Sequence, residues 1–248
     1  MNLWRLELAR LWRTHRWMLL VGVFGLFAVS GPVLAAYVEE IIARFAGEIT
    51  IEVPEQRPVD GIAGYLDNVN GLGLLAVVIV AAAALALDAR PEVAAFLRTR
   101  ISRPYALVIP RYVVVTGASA ACLVGGMAVA WLLTWLLIGP LPAVPLLVGT
   151  CYGVLYLAFA VAVVAATAGY TRGVVGTIFA SVAVLLLVAL LGQLAPLRPW
   201  LPSDLLTAVL RLADGASAGE FVRAVAVTLL VTPALLLLAI HRFRTREV

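Results

Sequence analysis

The stretch YVVVTGASAACLVGGMAVAWLLTWLLI, residues 112–138, decides the fold because it contains no charged side chain. About 20 apolar residues in an α-helix are enough to cross the roughly 30 Å hydrocarbon core of a bilayer. The apolar residues are continuous and do not alternate with polar ones, which argues against a strand of a transmembrane β-barrel. The stretch therefore predicts a membrane-spanning helix that is long enough to tilt.

Five further apolar segments lie on either side of this stretch. Together the six predicted spans cover residues 17–38, 71–87, 112–138, 146–168, 174–195 and 221–240. Hydrophobic residues make up 63% of the chain and charged residues 13%, and the mean hydropathy of +1.05 is far above that of a water-soluble domain. The sequence predicts a single all-α membrane domain over residues 1–248.

The distribution of arginine predicts the orientation of the spans. If the spans alternate, one side of the membrane holds both termini, 13 of the 18 arginines and four acidic residues, and the other side holds five arginines and ten acidic residues. Cytoplasmic flanks are enriched in basic residues. We therefore expect a multi-pass protein of the cytoplasmic (inner) membrane with both termini in the cytoplasm. The acidic residues between Glu39 and Asp67 should then be solvated on the outer side.

The first 16 residues, MNLWRLELARLWRTHR, show helical periodicity. Apolar and aromatic side chains share one face with a histidine, and most of the arginines share the other: Trp4, Leu8, Leu11, Trp12 and His15 against Arg5, Ala9, Arg10, Arg13 and Arg16. A basic flank alone would account for the arginines but not for the apolar face. The pattern favours an amphipathic helix that lies in the membrane interface and contacts lipid.

A basic segment, RPEVAAFLRTRISRPYALVIPR at residues 90–111, separates the second and third predicted spans. Pro91 and Glu92 suit the first turn of a helix, and Pro104 ends it. The apolar residues of this short helix share one face, namely Val93, Phe96, Leu97 and Ile101. Such a helix can dock in a groove on another protein, or it can lie on the lipid surface.

Three stretches resemble permease subunits of ABC exporters of the type-2 family. They are ARPEVAAFLRTRISRPYALVIPRYVVV at residues 89–115, LPSDLLTAVLRLADG at 201–215 and the basic tail HRFRTREV at 241–248. In the first stretch Glu92 matches the acidic position of the family's coupling helix, and Ser102 and Arg103 match its "SR" before the third span. The number and order of the spans also resemble the family.

The resemblance implies a membrane-spanning subunit that moves a hydrophobic or amphiphilic substrate by alternating access. Its partners would be two copies of an ABC ATPase and a second permease copy, in a homodimer rather than a heterodimer. The residues expected to dock the ATPase are Glu92, Val93, Phe96, Leu97, Arg98, Ile101, Arg103 and Arg172. The chain contains no lysine and therefore no P-loop. ATP and Mg²⁺ would thus belong to the partner, and the chain itself would be neither an enzyme nor a cofactor binder.

Polar residues within the spans are few and uncharged. Residues 112–170 carry no charge, which argues against a proton-coupled carrier. Thr177, Ser181 and Gln193 could line a substrate path, although such residues more often form hydrogen bonds between packed helices. Gly149 and Gly153 form a G-x-x-x-G pattern that indicates close helix packing within one chain or between two. No residue pattern indicates a metal or nucleic-acid site.

The segment before the last span is too short to cross the membrane. Ser203 is placed to cap a helix that Gly215 would end. The sequence predicts an interfacial or re-entrant helix at the outer face over residues 203–214.

Two other functions remain open from the sequence. The first is a non-transporting membrane anchor or accessory protein that recruits a soluble partner through the basic segment. The second is an intramembrane enzyme, although no serine, cysteine or carboxylate constellation supports one.

The orientation can be tested with single cysteines. In a chain whose Cys122 and Cys151 are changed to serine, Glu52→Cys should react with a membrane-impermeant thiol reagent in intact cells, because the arginine distribution places it outside. The matched control Arg100→Cys should react only after lysis. The opposite pattern of labelling would reverse the predicted orientation.

Overall fold

A computed structural model describes residues 3–45, 56–86 and 105–245, and within these ranges it contains helices and no strands. The α-helices are α1 Leu3–Arg13, α2 Arg16–Phe45, α3 Pro58–Asn68, α4 Leu74–Leu85, α5 Tyr105–Leu137, α6 Ala143–Ala168, α7 Val174–Leu191, α8 Ala208–Ala213 and α9 Val222–Thr245. A π-turn, Val69–Gly73, joins α3 to α4 without a break, and 3₁₀ turns form at Arg198–Trp200, Pro202–Leu206 and Ala218–Phe221.

Six helical stretches are long and apolar enough to cross a membrane: α2, the continuous α3–α4, α5, α6, α7 and α9 with the 3₁₀ turn before it. This confirms the all-helical prediction for the described residues, and six helices suited to span a membrane support a multi-pass membrane protein. We call the end of the helix bundle that carries α1 the basal end and the opposite end the distal end. Because the spans alternate in direction, the start of α5 is basal, whereas the starts of α3 and α9 are distal.

The second span begins earlier than its hydropathy predicts. We expected residues 71–87, but the helix starts at Pro58 and ends at Leu85. Proline suits the first helical turn, and the Asp60 carboxylate accepts a hydrogen bond from the Arg57 backbone N–H at 2.8 Å, which caps the start. Residues 58–67 belong to the stretch whose carboxylates we expected to be solvated. Asp67 is exposed and Asp60 is partly exposed, whereas the neighbouring Ile62 and Tyr65 are buried in the core.

The other helices also differ from the predicted spans at their ends. The helices α2, α5, α6 and α9 extend beyond the predicted spans at one end or both, whereas α7 stops at Leu191, four residues before the predicted end. Hydropathy marks the part of a helix that suits lipid, but backbone hydrogen bonds continue into the polar interface. The last turn of α9, with Arg242 and Arg244, is an example of such an extension.

The helix α6 lies at the centre of the bundle. In the most apolar 18 residues of α6, 56% are buried, compared with 17% in α7 and in the last span. The helix packs against α4, α5, α7, α8 and α9. Residues 160–166, AVAVVAA, are all buried. Small side chains let neighbouring helices approach closely where no hydrophobic effect drives them together. The composition of α6 therefore explains its central position.

Glycines allow backbone contact at two further places. A Cβ atom at Gly31 of α2 would lie 2.5 Å from the backbone nitrogen of Tyr65 in α3, so only glycine fits. A Cβ atom at Gly149 would lie 2.5 Å from the Cα of Val209 in α8, whereas at Gly153 it would meet the side chain of Leu123 at 3.1 Å. The two glycines of the G-x-x-x-G pattern thus pack against different parts of the same chain.

The segment before the last span differs from the single capped helix that we predicted. It consists of the 3₁₀ turn Pro202–Leu206 followed by α8. The Ser203 hydroxyl donates to the carbonyl of Val188 at 3.4 Å and does not cap a helix, because it lies inside the 3₁₀ turn. Gly215, at φ +96°, ends α8 as predicted, with its N–H on the Leu212 carbonyl at 3.2 Å. The segment packs onto α6, and its placement in the interface remains a prediction.

The contact at Gly31 can be tested by substitution. Gly31→Ala should destabilise the fold by about 1–3 kcal/mol, because the added methyl group overlaps the backbone of α3. Gly25→Ala on the same helix is the matched control, since a Cβ atom there meets nothing within 4 Å. Chemical or thermal unfolding in detergent measures the difference, and equal unfolding of the two variants would contradict the close approach of α2 and α3.

Candidate functional site

Most of the residues expected to dock an ATPase lie outside the described residues, so the coupling helix remains a prediction. They are Glu92, Val93, Phe96, Leu97, Arg98, Ile101 and Arg103. Arg172 is described, and it is exposed in the turn between α6 and α7 at the basal end. This turn comes directly after the basal end of α6, and residues 87–104 come after the basal end of α4 in the chain.

The three residues proposed for a substrate path do not come together. Thr177 and Ser181 are buried in α7, where Ser181 shares a 2.6 Å hydrogen bond with Thr167 of α6 and Thr177 shares one of the same length with Thr171. These bonds join α7 to α6 and to the turn between them. Gln193 is exposed beyond the end of α7. The structure therefore favours the packing interpretation for Thr177 and Ser181.

A salt bridge at the basal end joins α1 to α5. Arg111 donates from Nε to the Glu7 carboxylate at 2.8 Å, and Arg10 lies 3.7 Å from the same carboxylate. We call Glu7 and Arg111 the basal ion pair. Their side chains are only 14% and 7% exposed, and Arg111 depends on Glu7 for charge compensation. Removing Glu7 would leave a poorly solvated charge on Arg111.

A second contact joins the start of α2 to the end of α4. The Arg16 guanidinium donates from Nη1 to the carbonyl of Ala83 at 2.8 Å. Carbonyls in the last turn of a helix lack helical partners, and the negative end of the helix dipole attracts a cation. We call the residues of these two contacts, Glu7, Arg16, Ala83 and Arg111, the basal frame. It fastens the N-terminal segment to both helices that border residues 87–104.

The exposed side of α1 carries several of the residues predicted for its apolar face. Trp4, Leu8 and Trp12 are exposed, Trp12 most of all at 66%, and Trp12 stacks on Trp17 with ring centroids 4.7 Å apart. Leu11 instead packs against the core. Exposed tryptophan and leucine on a helix beside a membrane domain are compatible with lipid contact. The interfacial position of α1 remains a prediction.

A charged cluster at the distal end surrounds the buried Asp204. Its carboxylate accepts from Arg198 at 3.0 Å and from Arg211 at 3.3 Å, and Arg211 also contacts Glu220 at 2.5 Å. The Arg211 guanidinium lies 4.7 Å from the ring centroid of Phe221. The cluster joins the 3₁₀ turns Arg198–Trp200 and Pro202–Leu206 to α8 and to the start of the last span. Nothing in the sequence pattern singled out Asp204.

A cleft of about 410 Å³ opens beside this cluster. Its charged lining is Arg198, Asp204, Arg211, Glu220 and Arg223. We call it the distal cleft. Arg223, in the first turn of α9, places its guanidinium 5.3 Å from the ring centroid of Trp200. A cationic side chain of the cleft thus lies beside an exposed aromatic ring.

A cavity beside the π-turn is apolar and small. It lies among α4, α5, α6 and the distal segment and has room for about 20 Å³, or roughly one water molecule. Leu123 lines the cavity, and its carbonyl accepts a hydrogen bond from the Tyr65 hydroxyl at 3.2 Å. The cavity is too small for a transported molecule. Among the described residues, no three His, Cys, Asp or Glu side chains come together as a possible metal site.

Comparison with known proteins yields no match to a family model, a curated protein or a solved structure. Functional assignment therefore rests on the residues and their geometry.

The basal ion pair can be tested by exchanging its charges for neutral side chains. Glu7→Gln should loosen α1, because breaking a buried pair costs about 3 kcal/mol or more. Hydrogen exchange of the backbone amides of residues 3–13 should then accelerate at least about tenfold. Glu7→Gln with Arg111→Gln should accelerate exchange less, because no unpaired charge remains.

The control for this experiment is Arg57→Gln. Arg57 pairs with Asp60 and Asp214 at 4.0 and 3.8 Å, but its side chain is 67% exposed, so its loss should cost about 0–1 kcal/mol. Unchanged exchange in the Glu7→Gln variant would show that the ion pair does not hold α1 in place.

Proposed function

We propose that this chain is the membrane-spanning subunit of an ABC exporter, which moves a hydrophobic or amphiphilic molecule across the cytoplasmic membrane. Two copies of a separate ATPase and a second copy of this chain would complete the transporter. The observation that carries the proposal is the basal frame. It ties the N-terminal segment to both spans that border the basic segment, so a force on that segment reaches several helices at once.

The route of the force follows from covalent and ionic connections. Residues 87–104 are the part of the chain that connects α4 covalently to α5. The Arg16 bond to Ala83 adds α2 to α4, and the basal ion pair adds α1 to α5. ATP-driven closure of the ATPase pair would therefore move α1, α2, α4 and α5 together relative to the last two spans. This relative motion is the mechanical basis of alternating access in the proposal.

The ATPase must be another protein in this proposal, because the chain has no lysine for a P-loop. ATP and Mg²⁺ would be bound there. The exposed Arg172 in the turn between α6 and α7 offers the partner a second contact at the basal end. Its charge would favour an acidic rim on the groove of the partner.

The surfaces of the last two spans support a second permease copy and an apolar cargo. Phe179 of α7 and Leu230 and Leu237 of α9 are exposed apolar residues in the single chain. Lipid or a second copy can cover them. The apolar cavity beside the π-turn is too small for a cargo, and in the proposal the passage forms between two copies. The absence of charge over residues 112–170 suits a cargo with little charge of its own.

A non-transporting membrane anchor is the second candidate. An anchor needs no passage, and the cavity beside the π-turn, with room for about 20 Å³, is too small to be one. It would use the same basic segment to recruit a soluble protein that need not hydrolyse ATP. The identity of the recruited partner distinguishes the two candidates.

The test is affinity purification of the chain from the membranes of its own host in mild detergent. We expect a protein with a P-loop and an ABC signature to co-purify, and ATP hydrolysis to require that partner. Phe96→Ala with Leu97→Ala should reduce the recovered ATPase strongly, since burying each such side chain contributes about 1.5–3 kcal/mol. Arg98→Ala is the matched variant in the same segment and should reduce it little, as exposed ion pairs contribute about 0–1 kcal/mol.

Two results would contradict the proposal. If the partner that co-purifies has no P-loop, the chain is an anchor. If the double variant retains the ATPase as well as the unchanged chain does, the basic segment is not the docking element.

A further inference from the structure

We propose that the distal cleft binds the phosphate group of a membrane lipid headgroup. The inference concerns a different part of the molecule from the basal frame and does not depend on the proposed transport function. It rests on the charges that line the cleft, on its size and on the apolar residues at its rim.

The two carboxylates of the cleft are already neutralised within the protein. Asp204 contacts both Arg198 and Arg211, and Glu220 contacts Arg211 and accepts the backbone N–H of Ser217 at 3.2 Å. Three arginines and two acids leave the lining with one excess positive charge. The cleft is therefore suited to an anion and not to a metal ion.

Arg223 is the residue that carries the excess charge. Among the described residues its guanidinium contacts the ring of Trp200, and no carboxylate lies within ion-pairing distance. A guanidinium offers five N–H donors in a planar fork that matches the oxygens of a phosphate. The position of Arg223 in the first turn of α9 adds the positive end of the helix dipole. Arg223 is thus an available phosphate ligand.

The surroundings favour a lipid over free phosphate. Trp200 is half exposed, and tryptophan in membrane proteins concentrates at the depth of the headgroups. The apolar residues Leu194, Leu197 and Val222 are exposed, and each is the immediate sequence neighbour of a residue that lines the cleft, so they can contact acyl chains beside it. The volume of about 410 Å³ is more than a lone phosphate ion fills and lies in the usual range of ligand pockets. A phosphodiester with a glycerol backbone fits this combination.

The first experiment measures lipid binding directly. Dioleoylphosphatidylglycerol is titrated into the detergent-purified full chain, and native mass spectrometry reports the fraction of chains with one bound lipid. We expect Arg223→Gln to raise the apparent dissociation constant about tenfold or more, because it removes a charge-assisted hydrogen bond. Arg223→Lys should recover part of the affinity, since it restores the charge but not the fork.

The matched control is Arg57→Gln, which removes another exposed arginine of the distal end that does not line the cleft. It should bind lipid as the unchanged chain does. Arg223 is itself exposed, so both variants should keep the thermal unfolding midpoint of the unchanged chain in the absence of lipid. Equal loss of binding in Arg57→Gln and Arg223→Gln would overturn the proposal, because it would indicate attraction by the overall charge.

Two further probes distinguish the source of the phosphate. Dioleoylglycerol has the same acyl chains without phosphate and should bind at least about tenfold more weakly; equal affinity would overturn the proposal. Inorganic phosphate at millimolar concentration should not displace the bound lipid. If it does displace the lipid and itself raises the unfolding midpoint in an Arg223-dependent way, the anion site is supported and the assignment to a lipid is wrong.

Discussion

The whole structure depends on one constraint, which is that a backbone polar group in hydrocarbon must find its partner within the protein. A helix meets this requirement within a single segment, and the six spans of this chain are helices for that reason. Lipid then removes the hydrophobic driving force between helices, so contact must come from close packing and a few polar bonds. The small residues of α6 and the glycine at position 31 provide the packing, and the hydroxyl pair of Thr167 in α6 and Ser181 in α7 provides one such bond.

The ion pairs of the described residues lie at the two ends of the bundle, where they have different roles. At the basal end the ion pair of Glu7 and Arg111 and the Arg16 bond to Ala83 connect helices that are distant in sequence. At the distal end Asp204 holds two arginines, and Arg223 remains available beside an aromatic ring. One end is therefore suited to transmit a displacement between helices, and the other to meet the polar part of a bilayer.

Hydropathy alone predicted the number and order of the spans, because a span needs only a sufficient run of apolar residues. It missed the start of the second span, since Asp60, Gly61 and Asn68 look like a loop until Ile62 and Tyr65 are seen buried between α2 and α5. It also could not find the basal ion pair or the Asp204 cluster, whose members meet only through the fold. The prediction that Ser203 caps a helix was wrong for a related reason, because a cap depends on backbone geometry and not on residue type alone.

The basal ion pair also has a consequence for how the protein is made. Glu7 and Arg111 are 104 positions apart, so Glu7 emerges from the ribosome long before its partner exists. The first two spans are synthesised before Arg111, and α1 has no ionic partner on α5 during that interval. Translation thus separates the synthesis of the first two spans from the docking of the N-terminal helix, and the third span completes the assembly of the basal end.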